Sequence, residues 1–166
     1  MKINCFTIKG VTTFTGHEGE SCLQGSIYMD NKRIGTFSDD TYSGGVNIDI
    51  KKEFEEIALE RARKWFKEHP FGLDEKYNIH SSRYDLLKLY GEDDMMTPMI
   101  NELENLFYIE KFGKKYKKQG YPLIALVRKT KRHTTEMYAC TNAAIENLKK
   151  ENEVVHILTL EDLEVA

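Results

Sequence analysis

The sequence predicts an α+β fold, and three observations carry that prediction. Residues 2 to 50 alternate apolar and polar side chains in short runs broken by Gly, Asn and Asp. Residues 51 to 68 switch to a helical period, and residues 121 to 160 return to strand patterning around one short helix. Runs of strands followed by helices imply antiparallel sheet with helices packed against it, not alternating βαβ units.

Taken in order, the first 50 residues read as a β-meander of four strands: Lys2 to Phe14, a run centred on Leu23, Ile27 and Met29, Arg33 to Ser38, and Val46 to Ile50. Asp30-Asn31-Lys32 supplies a tight turn, because Asp and Asn tolerate positive φ. From Lys51 to Glu68 the residues Phe54, Ile57, Ala58, Ala62, Trp65 and Phe66 form one apolar stripe, a helix that should lie across the meander and stop before His69-Pro70. Ser81 or Ser82 is the expected cap of a short helix running up to Gly91. Thr97-Pro98 is read as N-cap and first helical position of a longer helix ending near Lys118, with Gly120 as its stop. The remainder, Tyr121 to Val127, Thr134 to Cys140, a helix capped by Thr141 and Val154 to Leu160, is a β-β-α-β unit. Two modules are expected, 1–91 and 92–166, with the stretch Gly91 to Thr97 as the hinge if they do not form one continuous domain.

Charge is unevenly distributed. From Lys111 to His133 the chain holds nine basic side chains and no Asp or Glu; the remainder sets 15 basic against 27 acidic residues, a balance of −12 in a molecule of net charge −3. The band comprises Lys111, Lys114, Lys115, Lys117 and Lys118 at a helix end and Arg128, Lys129, Lys131, Arg132 and His133 in a hairpin turn, with Phe112, Tyr116 and Tyr121 interleaved. Such density attracts RNA or DNA phosphates or an acidic protein face, and tyrosines can stack on unpaired bases. The structural alternative is that lysines at a helix C-terminus complement its dipole and solvate it.

A second constellation joins His17, Glu18 and Glu20 of Gly-His-Glu-Gly-Glu to Asp39, Asp40 and Gly44-Gly45. A hairpin turning at Asn31-Lys32 would set Gln24 opposite Asp39 and Leu23 opposite Asp40, gathering four carboxylates and an imidazole at one sheet edge. That set suits Mg²⁺ and metal-dependent phosphodiester chemistry, or contact with a protein partner. The same Asp and Gly residues are also what turns require. His133-Thr134-Thr135 has the His-x-Thr spacing of two-histidine phosphoesterases, but those enzymes need two copies and neither His80 nor His156 supplies the second. No GxSxG, P-loop or Cys-His pattern is present, so no catalytic residue is assigned. Cys5, Cys22 and Cys140 form no CxxC pair, which points to a reducing cytoplasm; no signal peptide or transmembrane span is expected. The first strand, lying at a sheet edge, offers a route to a homodimer.

The string Thr15 to Glu20, followed by Ile27-Tyr-Met-Asp-Asn-Lys-Arg-Ile-Gly35, Asp39-Asp40 and Gly44-Gly45, resembles the opening of small proteins encoded by bacteriophages and other mobile elements. The Lys-rich helix end running into Gly120-Tyr121-Pro122 and an apolar strand is similar to the same group. Some proteins of this look are anti-CRISPR inhibitors. The resemblance therefore implies a binding protein of the host bacterial cytoplasm that antagonises a defence nucleoprotein, such as an RNA-guided nuclease with positively charged guide and target channels. The alternatives are a metal-dependent nucleic-acid enzyme or accessory factor, and a plain protein-interaction module.

Overall fold

The computed structural model describes residues 2–16, 19, 21–40, 45–73, 85–121, 123–129, 134–151 and 154–159, and it is α+β. Strands β1 (Phe6–Thr15), β2 (Ser21–Met29), β3 (Lys32–Asp40) and β4 (Gly45–Ile50) form an antiparallel sheet in chain order. A single 3₁₀ turn (Lys52–Phe54) leads into α1 (Glu55–Glu68); α2 (Leu86–Tyr90), a second 3₁₀ turn (Glu92–Asp94) and the long α3 (Met96–Lys118) follow. Strands β5 (Leu123–Lys129), β6 (Thr134–Cys140) and β7 (Val154–Thr159), with α4 (Asn142–Glu151) between the last two, form a second antiparallel sheet in the order β6-β5-β7.

Contacts divide the chain into two compact units: Lys2–Gly72 with Ser82–Glu104, and Asn105–Ala166 with Leu73–Ser81 and Met1. The division runs through α3, not through Gly91 to Thr97 as the modules 1–91 and 92–166 require. Met99, Ile100 and Leu103 of the helix, all fully buried, belong by their contacts to the first unit.

In that unit the turn dictates the sheet. Asp30 and Asn31 both take positive φ (48° and 65°), making a two-residue hairpin whose twist matches the flanking strands. Met29 then pairs with Lys32 and Tyr28 with Arg33, but the ladder shifts at Ile34, so that Ile27 faces Gly35, Gln24 faces Ser38 and Leu23 faces Asp39. The expected pairings of Gln24 with Asp39 and of Leu23 with Asp40 are therefore corrected by one residue. The turn lies at Asp30-Asn31, one position earlier than Asn31-Lys32, which alone would shift both pairings by two, and the residue that the irregularity adds to β3 takes one back. A slip of one reverses the face on which a side chain stands, so Asp39 shares a row with buried Leu23 and not with exposed Gln24.

One face of this sheet carries Phe6, Leu23, Ile27 and Phe37, all at most 3% exposed. Two glycines record how tightly it is packed. The Phe37 ring covers Gly25, where a Cβ would stand 2.8 Å from it, and a Cβ on Gly35 would stand 2.2 Å from the Asp49 carbonyl oxygen of β4. Helix α1 buries Ala58, Ala62, Trp65 and Phe66, whereas Ile57 of the expected stripe is 40% exposed because it stands at the margin of the arc. Burying such side chains contributes roughly 1.5–3 kcal/mol for each large one. Arg61 pairs with Asp30, fixing α1 against the β2–β3 turn. The helix ends at His69, which leaves the α region (φ −131°, ψ 65°) ahead of Pro70, and the ring of His69 stacks on Trp65 at 4.5 Å.

Two start signals also differ from expectation. The side chain of Asp85 caps α2 by accepting from the Lys88 N–H, so the cap is Asp85; Ser81 and Ser82 lie outside the described residues. Helix α3 begins at Met96, one residue ahead of Thr97, whose hydroxyl donates to Asp94 at 2.7 Å. Pro98 is accommodated in the first turn, where backbone N–H groups have no intrahelical partner.

Candidate functional site

The second half of α3 carries the first component of the basic band. Lys111, Lys114, Lys115 and Lys118 are exposed and recur at i, i+3, i+4 and i+7, which places them on one helical face; Lys117 is exposed away from it. Phe112 and Tyr116, at i and i+4, form an adjoining aromatic edge, their rings stacked at 6.1 Å and 20°. Lys115 lies 5.7 Å over the Tyr116 ring and Lys111 5.7 Å over Phe107, so both ammonium groups stand beside aromatic faces. Glu110 is the carboxylate in this stretch. Partial burial favours its neutral form, but hydrogen bonds and positive charge, those of Lys114 among them, prevail and hold it below the usual carboxylate range.

The helix end then fixes a third ring. Gly120 adopts φ +84°, its N–H bonds the Lys117 carbonyl at 3.0 Å, and the Tyr121 N–H bonds the Tyr116 carbonyl at 3.1 Å. These are the two crossed bonds of a Schellman cap, whose usual companion is contact between the residue after the glycine and the last helical turn. Here that contact is aromatic: Tyr121 meets Tyr116 edge to face at 6.1 Å and remains 39% exposed. The residues read as the start of a strand are in part a helix terminator, and β5 begins at Leu123. Gly-Tyr after a Lys-rich helix is the signal from which this cap is readable.

Of the second component, Arg128 and Lys129 belong to the backbone of β5, paired with Thr135 and Thr134 of β6. Lys131, Arg132 and His133 lie outside the described residues. Both components fall within the second compact unit.

Of the carboxylate constellation, Asp39 is the member whose side chain is described. Asp39 stands in the row of Leu23 and Val46, half-buried, and its charge acts on Glu104 of α3. Glu104 is a buried acid that the charge pattern did not single out. It is 7% exposed, its Oε1 meets no hydrogen-bond donor among the described residues, and burial first, then the Asp39 charge, pushes its carboxyl up to about 8. Such a group stays protonated at neutral pH, because ionising it in an apolar surrounding beside another carboxylate is costly. The side chain of Asp40 and all of His17, Glu18 and Glu20 lie outside the described residues. Among the described residues no three His, Cys, Asp or Glu side chains converge as metal ligands.

The opposite face of the first sheet is polar. Thr12, Gln24, Ser38 and Asn47 form one continuous cross-strand row, with Gln24 Nε2 donating to Thr12 Oγ1 at 3.3 Å. With Thr36 and Asp49 they line an open concavity of about 570 Å³. Among the described residues its lining holds a carboxylate and no Lys or Arg, which disfavours phosphate there.

Comparison with protein-family models, with curated proteins and with solved structures finds no match in any of the three. Among the described residues, no helix is long and apolar enough to cross a membrane.

Proposed function

We propose that this protein is a docking protein for a polyanionic nucleoprotein, of the kind by which a phage or mobile element antagonises a host defence complex such as a CRISPR RNA-guided nuclease in the bacterial cytoplasm. The observation that carries the reading is the exposed lysine face of α3 beside the Phe112–Tyr116–Tyr121 aromatic edge, in a chain whose remainder is acidic. A basic edge of this kind is drawn to nucleic acid, while the acidic remainder favours the Lys- and Arg-rich protein surfaces that line guide and target channels. Contact through both charges restricts the orientations in which the two molecules meet.

The test is a tagged pull-down from bacterial lysate containing an assembled CRISPR effector, with and without nuclease digestion, read by mass spectrometry. Retention of the effector after digestion supports antagonism through protein contact. Capture of nothing but nuclease-sensitive RNA or DNA removes the effector from the proposal, and capture of neither removes the docking reading as a whole.

A further inference from the structure

The end of α3 narrows the kind of polyanion it suits. An acidic protein face would be served by lysines alone. Here the lysine face is bordered by three rings in sequence, and the outermost, Tyr121, stands on backbone held by the Schellman cap, with its ring against Tyr116. The residue is 39% exposed and its ring meets that of Tyr116 at a near-perpendicular angle. A fixed, half-exposed ring is a stacking platform, since every nucleobase offers it a π-face and its own ordering is already complete. In duplexes the base faces are covered by their neighbours in the stack; in an unpaired stretch they are free to splay onto an aromatic ring. The lysines complete the arrangement. Lys111 to Lys118 spans about 10 Å along the helix axis, enough to follow a few successive phosphates while a base turns towards the aromatic edge.

From this juxtaposition we infer that the C-terminal end of α3 binds an unpaired stretch of RNA or DNA, with Lys111, Lys115 and Lys118 on phosphates and a base on the exposed face of Tyr121. The inference rests on the docking reading above and names the part of a nucleoprotein that the basic end engages.

It is tested by fluorescence anisotropy of the full chain with a labelled oligouridylate or oligothymidylate of about 12 nucleotides and with a duplex of equal length, across a salt series. The single strand should bind more tightly than the duplex. Tyr121→Leu should weaken the single strand about tenfold and leave the duplex within about twofold, because stacking contributes on the order of 1–3 kcal/mol per base. Lys115→Gln with Lys118→Gln should lower the slope of log K against log salt by about 1.4, at about 0.7 per phosphate lost. Phe112→Leu serves as a second aromatic variant should Tyr121→Leu fail to keep the wild-type circular dichroism spectrum. Equal affinity for single strand and duplex, or lysine variants that weaken binding while Tyr121→Leu and Phe112→Leu do not, overturns the stacking assignment. If no oligonucleotide binds but the effector is retained after digestion, this inference falls and the docking reading survives. Failure of both experiments removes both.

Discussion

Glu104 of α3 and Asp39 of β3 are electrostatic neighbours, and the acid on the helix is the one that gives up its charge: Glu104 is buried, its Oε1 without a hydrogen-bond partner among the described residues, while Asp39 is half-buried at the sheet. A carboxyl raised from its ordinary 4.5 to about 8 makes folding sensitive to pH in a defined direction. The folded state holds the proton more tightly than the unfolded state does. This contribution to stability is therefore fully present below pH 4.5, declines as pH rises from about 4.5 to about 8, and is flat above that. Glu104→Gln, which keeps the shape and cannot ionise, should stabilise the protein at pH 8 by on the order of 3 kcal/mol and flatten that decline. Urea unfolding at pH 5 and pH 8 checks this. A variant whose stability changes with pH as steeply as the wild type would mean that Glu104 is ionised in the folded protein.

The contact of Gly35 with β4 makes a separate prediction. A methyl group there meets backbone, not a side chain that can turn aside, because the Asp49 carbonyl oxygen stands 2.2 Å from the Cβ position. Gly35→Ala should destabilise by about 1–3 kcal/mol through displacement of the edge strand. Gly45, whose Cβ position is open, is the control, and Gly45→Ala should change the thermal midpoint far less. Equal effects of the two substitutions would contradict the close approach at Gly35.

At the β2–β3 turn, Asn31 holds φ +65° and Asp30 φ +48°. Asn31→Val should cost about 1–2 kcal/mol, since a β-branched residue has no comfortable left-handed conformation. Asn31→Gly should be neutral or stabilising. Thermal melts of the two variants distinguish this turn from a looser connection, in which both would behave alike.

The partition of charge and the change of period were legible without coordinates, and so was the α+β class, because patterning depends on which residue types sit at which spacing and not on where they dock. The extent of α3 to Lys118 and its stop at Gly120 were legible for the same reason: glycine's tolerance of positive φ is local. The cap of α2 illustrates the limit of such reading. Ser81, Ser82 and Asp85 are all competent caps, and the choice of Asp85 is made by where the chain turns.

What tertiary structure decided is which face each side chain stands on and which charges meet. A β-ladder has a side-chain period of 2, so the turn at Asp30-Asn31 together with the irregularity at Ile34 sets Asp39 in the row of Leu23 and not in that of Gln24. Nothing local to either segment marks Glu104 as a neighbour of Asp39, since the two are brought together by packing across a long stretch of chain. Composition and local periodicity thus determine the class of fold and the basic helix end by themselves. The register of a sheet and the burial of an acid are properties of the assembled core, where one added residue or one desolvated group outweighs local preference.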